Sequence, residues 1–210
     1  MVSALQGAST PTSESPLSDR FSEALALAAR IHRGDVRKGS RVPYVSHLLA
    51  VCALILSDGG SEDEAIAGLL HDSLEDHPEL VTREELERRF GARVRSIVEL
   101  CTDTPDDYAG GEKPPWRERK QRYLSHLEHA PAEALRVSIA DKVDNVRAMV
   151  VDYRAVGESL WERFNAGKAD QLWYYGALLG SFKRRKAPAC LLEQLERGVS
   201  ELVRLAEAGQ

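Results

Sequence analysis

An all-α fold is what the sequence predicts, on three observations. Apolar residues recur at helical spacing through nearly the whole chain after residue 17. Capping signatures stand ahead of several of those runs: Ser61 with Glu64, and Thr82 with Glu85, each place a hydroxyl residue three positions before a glutamate. No run shows sustained strand alternation bounded by hairpin turns.

The elements follow in order. Residues 1–17 are Ser/Thr/Pro-rich, without the basic start and apolar core of a signal peptide, so a disordered tail is expected there and one domain over 18–210. DRFSEALALAARIHRG reads as a helix capped by Ser18 and stopped at Gly34. PYVSHLLAVCALILSDGG starts with Pro43, whose missing N–H is harmless in a first turn, and ends at Gly59-Gly60. SEDEAIAGLLHDSLEDH is expected to run as one helix from Ser61, followed by TREELERRFG and ARVRSIVELCTD. The stretch TPDDYAGGEKPPW, residues 104–116, holds adjacent glycines and several prolines and can continue neither neighbouring helix. Helices then resume with WRERKQRYLSHLEHA and the long PAEALRVSIADKVDNVRAMVVDYRAVG. SLWERFNAGKADQLWYYGALLGSFKRR and PACLLEQLERGVSELVRLAEAG complete the chain, with no convincing internal repeat.

Composition narrows the function classes. A chain of 210 residues that is 43% hydrophobic can bury a full core. A net charge of −5 argues against a nucleic-acid partner, which would call for a basic protein. Cys52, Cys101 and Cys190 are widely spaced and form neither a metal knuckle nor a disulfide framework, which fits a reducing, cytoplasmic setting. No apolar stretch approaches a membrane span, so no membrane partner is expected.

The chemistry concentrates in LLHDSLEDH. His71, Asp72, Glu75 and Asp76 put four ionisable side chains into six residues of an apolar helical run. Residues four apart share a helix face, so Glu75 should stack over His71 and Asp76 over Asp72. His71 and Asp72, about 100° apart at roughly 3.6 residues per turn, can still converge on one ion. An imidazole with a carboxylate suits a divalent transition metal, which leaves the later carboxylates for proton transfer or water orientation. The competing reading is a solvated helix end, although acidic groups are disfavoured near a helix C-terminus. His47 and Asp141 extend the set, each a polar group in an otherwise apolar helix. Alone, His47 would be a satisfied core histidine and Asp141 half of a salt bridge. An unpaired buried carboxylate is costly, so Asp141 requires a partner.

Taken in order, RKGSRVPYVSHLLAV, GLLHDSLED, FGARVRSIVELCTD and IADKVDNVRAM resemble the motifs of the HD-domain metal-dependent phosphohydrolases. Within them the resemblance is to the hydrolase domain of RelA/SpoT-type alarmone enzymes and to the small alarmone hydrolases. It covers about residues 20–180. The family fold is a helical bundle with the metal held between helices. The resemblance implies that His47, His71, Asp72 and Asp141 hold one divalent ion, manganese in most of the family. It implies that Glu75 and Asp76 activate and orient the attacking water. Arg37, Lys38, Tyr44, Lys142 and Asn145 are implied to bind substrate, with Asn145 on the same helix face as Asp141. The implied reaction removes pyrophosphate from the 3′ position of guanosine 3′,5′-polyphosphates, so the partner is a small-molecule nucleotide; a homo-oligomer is left open. The alternatives are the same chemistry on an adenosine alarmone or a 3′-phosphorylated cofactor, and an idle nucleotide-sensing module. In the resembling hydrolases the region of residues 104–116 lies beside the nucleotide, so one reading is a segment that orders over substrate, with Gly110 and Gly111 as hinges and Lys113 or Arg117 meeting phosphate. The other is a disordered connector with no role.

The chain departs from that pattern in three places. Leu48 stands where a proline usually follows the ligating histidine, Asp144 replaces an aromatic or histidine before Asn145, and Ala148 replaces a small hydroxyl residue. Asp144 beside a polyanion is expected to face away or to pair with Arg147 or Lys142. Arg37 and Lys38 read as a phosphate funnel, and Arg30 and Arg33 as a helix end whose cations meet the C-terminal dipole. Trp161, Trp173, Tyr174 and Tyr175 read mostly as core, with Lys168 in reach of a phosphate. His32, His77, His126 and His129 have no helical partners and read as surface.

Overall fold

The computed structural model describes residues 17–104 and 111–209. All of the expected tail except Leu17, and the segment 105–110 with Gly110, lie outside the described residues. The helices in order are α1 (Asp19–Ile31), α2 (Val45–Ser57), α3 (Glu62–Leu70), α4 (Ser73–Asp76), α5 (Arg83–Phe90), α6 (Ala92–Cys101), α7 (Trp116–Leu127), α8 (Ala132–Val156), α9 (Lys168–Arg184) and α10 (Ala189–Ala208). A 3₁₀ helix, Gly157–Arg163, links α8 to α9. Among the described residues there is no strand, only an isolated antiparallel bridge between Val36 and Pro43. The fold is all-α, as the periodicity predicts.

The predicted caps form. Ser18 Oγ accepts from the Arg20 N–H at 3.3 Å, and Thr82 Oγ1 from the Glu85 N–H at 3.2 Å. Ser61 and Glu64 make the reciprocal capping box at the start of α3. At the far end of α2, Gly59 takes φ 77°, a left-handed conformation that glycine adopts without penalty.

Two runs read as continuous helices are broken. SEDEAIAGLLHDSLEDH stops at Leu70 and restarts at Ser73, with Asp72 at φ −92°, ψ −5° between them. The His71 ring bonds the Gly68 carbonyl at 2.9 Å and Ser73 Oγ donates to the Leu70 carbonyl at 2.6 Å. Such local side-chain bonds compete with the helix ladder, so the four ionisable groups are set by a turn rather than by one helical face. Farther on, the run from Ser159 to Arg185 is a 3₁₀ turn, then a series of bends, then α9 capped at Gly167. Gly157, at φ 62°, ends α8 and redirects the chain.

The long α8 is the axis of the bundle. Its buried face, including Val137, Ala140, Val143 and Val146, packs against α2, α3, α6 and α10. Gly68 lets α3 approach α2, since a Cβ there would overlap Ile55 Cδ1. This packing brings His47 of α2, the turn after α3, and Asp141 of α8 to one place. No helix among the described residues is long and apolar enough to cross a membrane.

Candidate functional site

His47, His71 and Asp141 are buried, and their ligand atoms lie within 4.8 Å of one another. His47 Nε2 stands 3.3 Å from Asp141 Oδ1. Asp72 Oδ2 joins them, 3.0 Å from His71 Nε2 and 3.7 Å from His47 Nε2. The four residues named in the sequence thus converge, although they come from three separate segments.

The chemistry of this donor set fits a divalent ion. Each imidazole has its far nitrogen engaged: His47 Nδ1 donates to Asp144 Oδ2 at 2.7 Å, and His71 Nδ1 to the Gly68 carbonyl at 2.9 Å. Those bonds leave the two Nε2 atoms as the positions that would ligate an ion, the orientation that metal-bound histidines adopt. His71 Nε2 is buried and has no hydrogen-bond partner. Its 3.0 Å approach to Asp72 lacks hydrogen-bond geometry. Burial opposes charge on the His71 ring, yet the Asp72 and Asp141 carboxylates outweigh it and hold its pKa well above 6.5. A nest of this kind demands positive charge.

The cluster forms the floor of a cavity of about 760 Å³, a size suited to a nucleotide. Asp72 and Asp141 face the cavity while the two histidines sit behind them. Glu75 and Asp76 line the same wall. Glu75 Oε1 lies 3.0 Å from Lys113 Nζ and 3.6 Å from Arg119 Nη1, and Asp76 Oδ1 lies 3.4 Å from Lys113 Nζ. Burial, then the neighbouring Asp103, raises the Glu75 pKa; burial, then Asp72, raises that of Asp76. Carboxyls shifted upward are suited to carrying protons near neutrality.

The expected substrate-binding residues reach the same cavity, partly engaged with one another. Tyr44 donates its hydroxyl to Asp72 Oδ2 at 2.6 Å. Lys142 Nζ bonds Asp141 Oδ2 at 2.5 Å, and the Asn145 amide bonds Asp141 Oδ1. Arg37 spans Asp144 and Asn145, with both bonds at 3.1 Å. Lys38 lies 6.0 Å over the Phe164 ring. Ala148 also lines the wall.

Several expectations change. Asp144 pairs with neither Arg147 nor Lys142; it faces inward and joins Arg37 to His47. Arg117 bonds Asp170 at 2.6 Å and stacks on Trp173, away from the cavity. Lys168 is taken up by Glu158 and the Ala206 carbonyl. His32 is buried and His77 half-buried, whereas His126 and His129 are exposed as expected. Trp161, Tyr174 and Tyr175 are buried, and the two tyrosines also line the cavity. Asp103, at the end of α6, was not singled out. It is bound by Arg119 and Lys120, accepts from Arg122 through its carbonyl, and donates its N–H to Glu75 Oε2 at 3.4 Å. The signal available was an aspartate directly after the apolar face of a helix.

The HD-domain family model matches residues 24–171. The guanosine-3′,5′-bis(diphosphate) 3′-pyrophosphohydrolase MESH1 of Xenopus tropicalis is 38% identical over 128 residues, which span 60% of this chain and 66% of that protein. The Drosophila melanogaster MESH1 is 33% identical over 138 residues, 64% of this chain and 72% of its own length. Among solved structures, a metazoan ortholog of SpoT that hydrolyzes ppGpp superposes with a TM-score of 0.68 at 24% identity, covering 92% of this chain and 98% of that one.

Proposed function

The chain belongs to the HD-domain family, and we propose that it is a metal-dependent hydrolase removing pyrophosphate from the 3′ position of guanosine 3′,5′-polyphosphates. The observation that carries this reading is the convergence of His47, His71, Asp72 and Asp141 on the floor of a nucleotide-sized cavity, below the Glu75 and Asp76 carboxyls. The substrate class rests on the curated relatives and on cations placed to meet phosphates.

In this reading His47, His71, Asp72 and Asp141 hold one divalent ion, manganese by resemblance to the family. Such an ion lowers the pKa of water and offsets charge on the phosphoryl oxygens. Among the described residues, six lysine and arginine side chains line the cavity against seven carboxylates, so the ion would also turn that balance in favour of a polyanion. Asp144 is a positioning residue that fixes the His47 tautomer. Glu75 takes the proton from the attacking water, and Asp76 with Lys113 orients that water. Water oxygen bonds to the phosphorus on the ribose 3′ oxygen, the bond between that phosphorus and the 3′ oxygen breaks, and the departing oxygen takes up a proton. Arg37, Lys38, Tyr44, Lys142 and Asn145 bind the nucleotide, with Arg37 exchanging part of its Asp144 and Asn145 bonding for phosphate.

The test is product identification in ¹⁸O-enriched water, with guanosine and adenosine 3′-diphosphate nucleotides and a 3′-phosphorylated cofactor. The expected products from the guanosine substrate are GDP and pyrophosphate, with the label in pyrophosphate. Glu75→Gln should cut turnover by about 10²- to 10⁴-fold. Label in GDP would overturn attack at phosphorus, cleavage confined to the other nucleotides would overturn the substrate, and no cleavage would leave a sensing module.

A further inference from the structure

A second cluster of ligand-type side chains lies across the Tyr44 ring from the first. His32 follows α1, Asp35 lies in the turn after it, and His77 follows α4. Their ligand atoms also lie within 4.8 Å of one another. Asp35 Oδ2 is 2.8 Å from His32 Nδ1 and 2.6 Å from His77 Nε2. The rings of His32 and His77 meet edge-on with centroids 5.0 Å apart. Tyr44 separates this cluster from the floor of the cavity, with its ring centroid 5.1 Å from His32 and 5.4 Å from His47.

We propose that His32, Asp35 and His77 form a second divalent-metal site, taking a borderline transition ion such as zinc. Two imidazoles and a carboxylate are a donor set that such ions favour. Ligands about 2.0–2.1 Å from a tetrahedral ion stand roughly 3.3 Å apart, so an opening of about half an ångström between these side chains admits one. Two of the three ligands already have outer partners. His77 Nδ1 faces Glu79 Oε1 at 3.1 Å, the outer carboxylate that directs the other nitrogen toward an ion. Asp35 is held in its turn by backbone bonds, its N–H to the His32 carbonyl and its carbonyl from the Tyr44 N–H. The His32 ring is buried, and its Nε2 has no partner.

Asp35 and His77 line the nucleotide-sized cavity whereas His32 does not. The open coordination position therefore faces the cavity. An ion there clips the end of α1 to the end of α4 and adds positive charge beside Asp76, where a phosphoryl oxygen or water can serve as fourth ligand. The site does not depend on the proposed reaction, because its ligands are separate from those on the floor.

Equilibrium dialysis of the full chain, stripped with chelator and then loaded with Zn²⁺, tests it by elemental analysis, and the absorption of bound Co²⁺ reads the coordination. The expected result is two ions per chain, falling to one in His77→Ala and in Asp35→Asn. His71→Ala should keep one ion, and His71→Ala with His77→Ala none. One ion that His71→Ala abolishes and His77→Ala retains would overturn the second site, as would two ions retained in both second-site variants. One ion that His77→Ala abolishes and His71→Ala retains would support the second site while removing the first. If the His71 variants do not fold, the wild-type comparison with the two single variants decides.

Discussion

At the residue scale, the site depends on which nitrogen of each histidine is free. Asp144 settles that for His47, by accepting from Nδ1 at 2.7 Å. Its carboxylate also accepts from Arg37, so one side chain links the basic loop to the candidate metal cluster. Removing an outer partner of this kind costs about 10- to 100-fold in metal affinity. Asp144→Ala should therefore weaken Mn²⁺ binding by about that factor, measured by titration calorimetry. Asp144→Asn should recover most of it, because the amide oxygen still accepts from Nδ1–H; equal affinity in the alanine variant would remove the positioning role. His47 and Asp141 were legible in the sequence because each interrupts an apolar helix where a lone polar group is expensive, and His71 and Asp72 because they crowd ionisable groups into an apolar run. The role of Asp144 was not, since both its partners come from segments about a hundred residues away. His32 and His77 read as surface for a different reason: their common partner, Asp35, lies in a turn that periodicity does not describe.

At the element scale, periodicity and capping located the helices, and local side-chain bonds decided where they break. Helix α3 illustrates the first. Glu64, in its first turn, is buried, accepts from the Ser61 N–H at 2.7 Å, and pairs with Arg136 of α8 at 2.5 Å. Burial alone would raise the Glu64 pKa, but the Ser61 and Arg136 hydrogen bonds outweigh it and hold it below 4.5. A carboxyl lowered in the folded state contributes stability above its unfolded-state value of about 4.3, and that contribution is lost as pH falls through the folded-state value. Glu64→Gln should thus destabilise the protein by roughly 1–3 kcal/mol at neutral pH, measured by urea unfolding, and the gap should narrow in acid. A gap independent of pH would mean that the charge on Glu64 is not what holds α3 to α8. The break at His71-Asp72 illustrates the second: the bonds from His71 to the Gly68 carbonyl and from Ser73 to the Leu70 carbonyl compete with the helix ladder there. Only the packed structure shows that the turn prevails.

At the scale of the whole molecule, the fold is a device for meeting. Helix α2 brings His47, the turn after α3 brings His71 and Asp72, and α8 brings Asp141, so the ligand atoms come within reach only when the three pack together. An ion bound there bridges all three, and its affinity adds to the stability of the folded state. The chain carries a net charge of −5, and the cations that line the cavity above the cluster are balanced by its carboxylates, so it is the bound ion that would favour the approach of phosphates to this face. The most direct test of the central claim is the rate of pyrophosphate release from guanosine 3′,5′-bis(diphosphate) by the full chain, measured after chelator treatment and again after Mn²⁺ is restored, in the wild type and in His71→Ala. The account predicts that chelation abolishes release, that Mn²⁺ restores it in the wild type, and that His71→Ala stays inactive in both conditions. Full release from the chelated wild type, or a wild-type rate from His71→Ala, would contradict it.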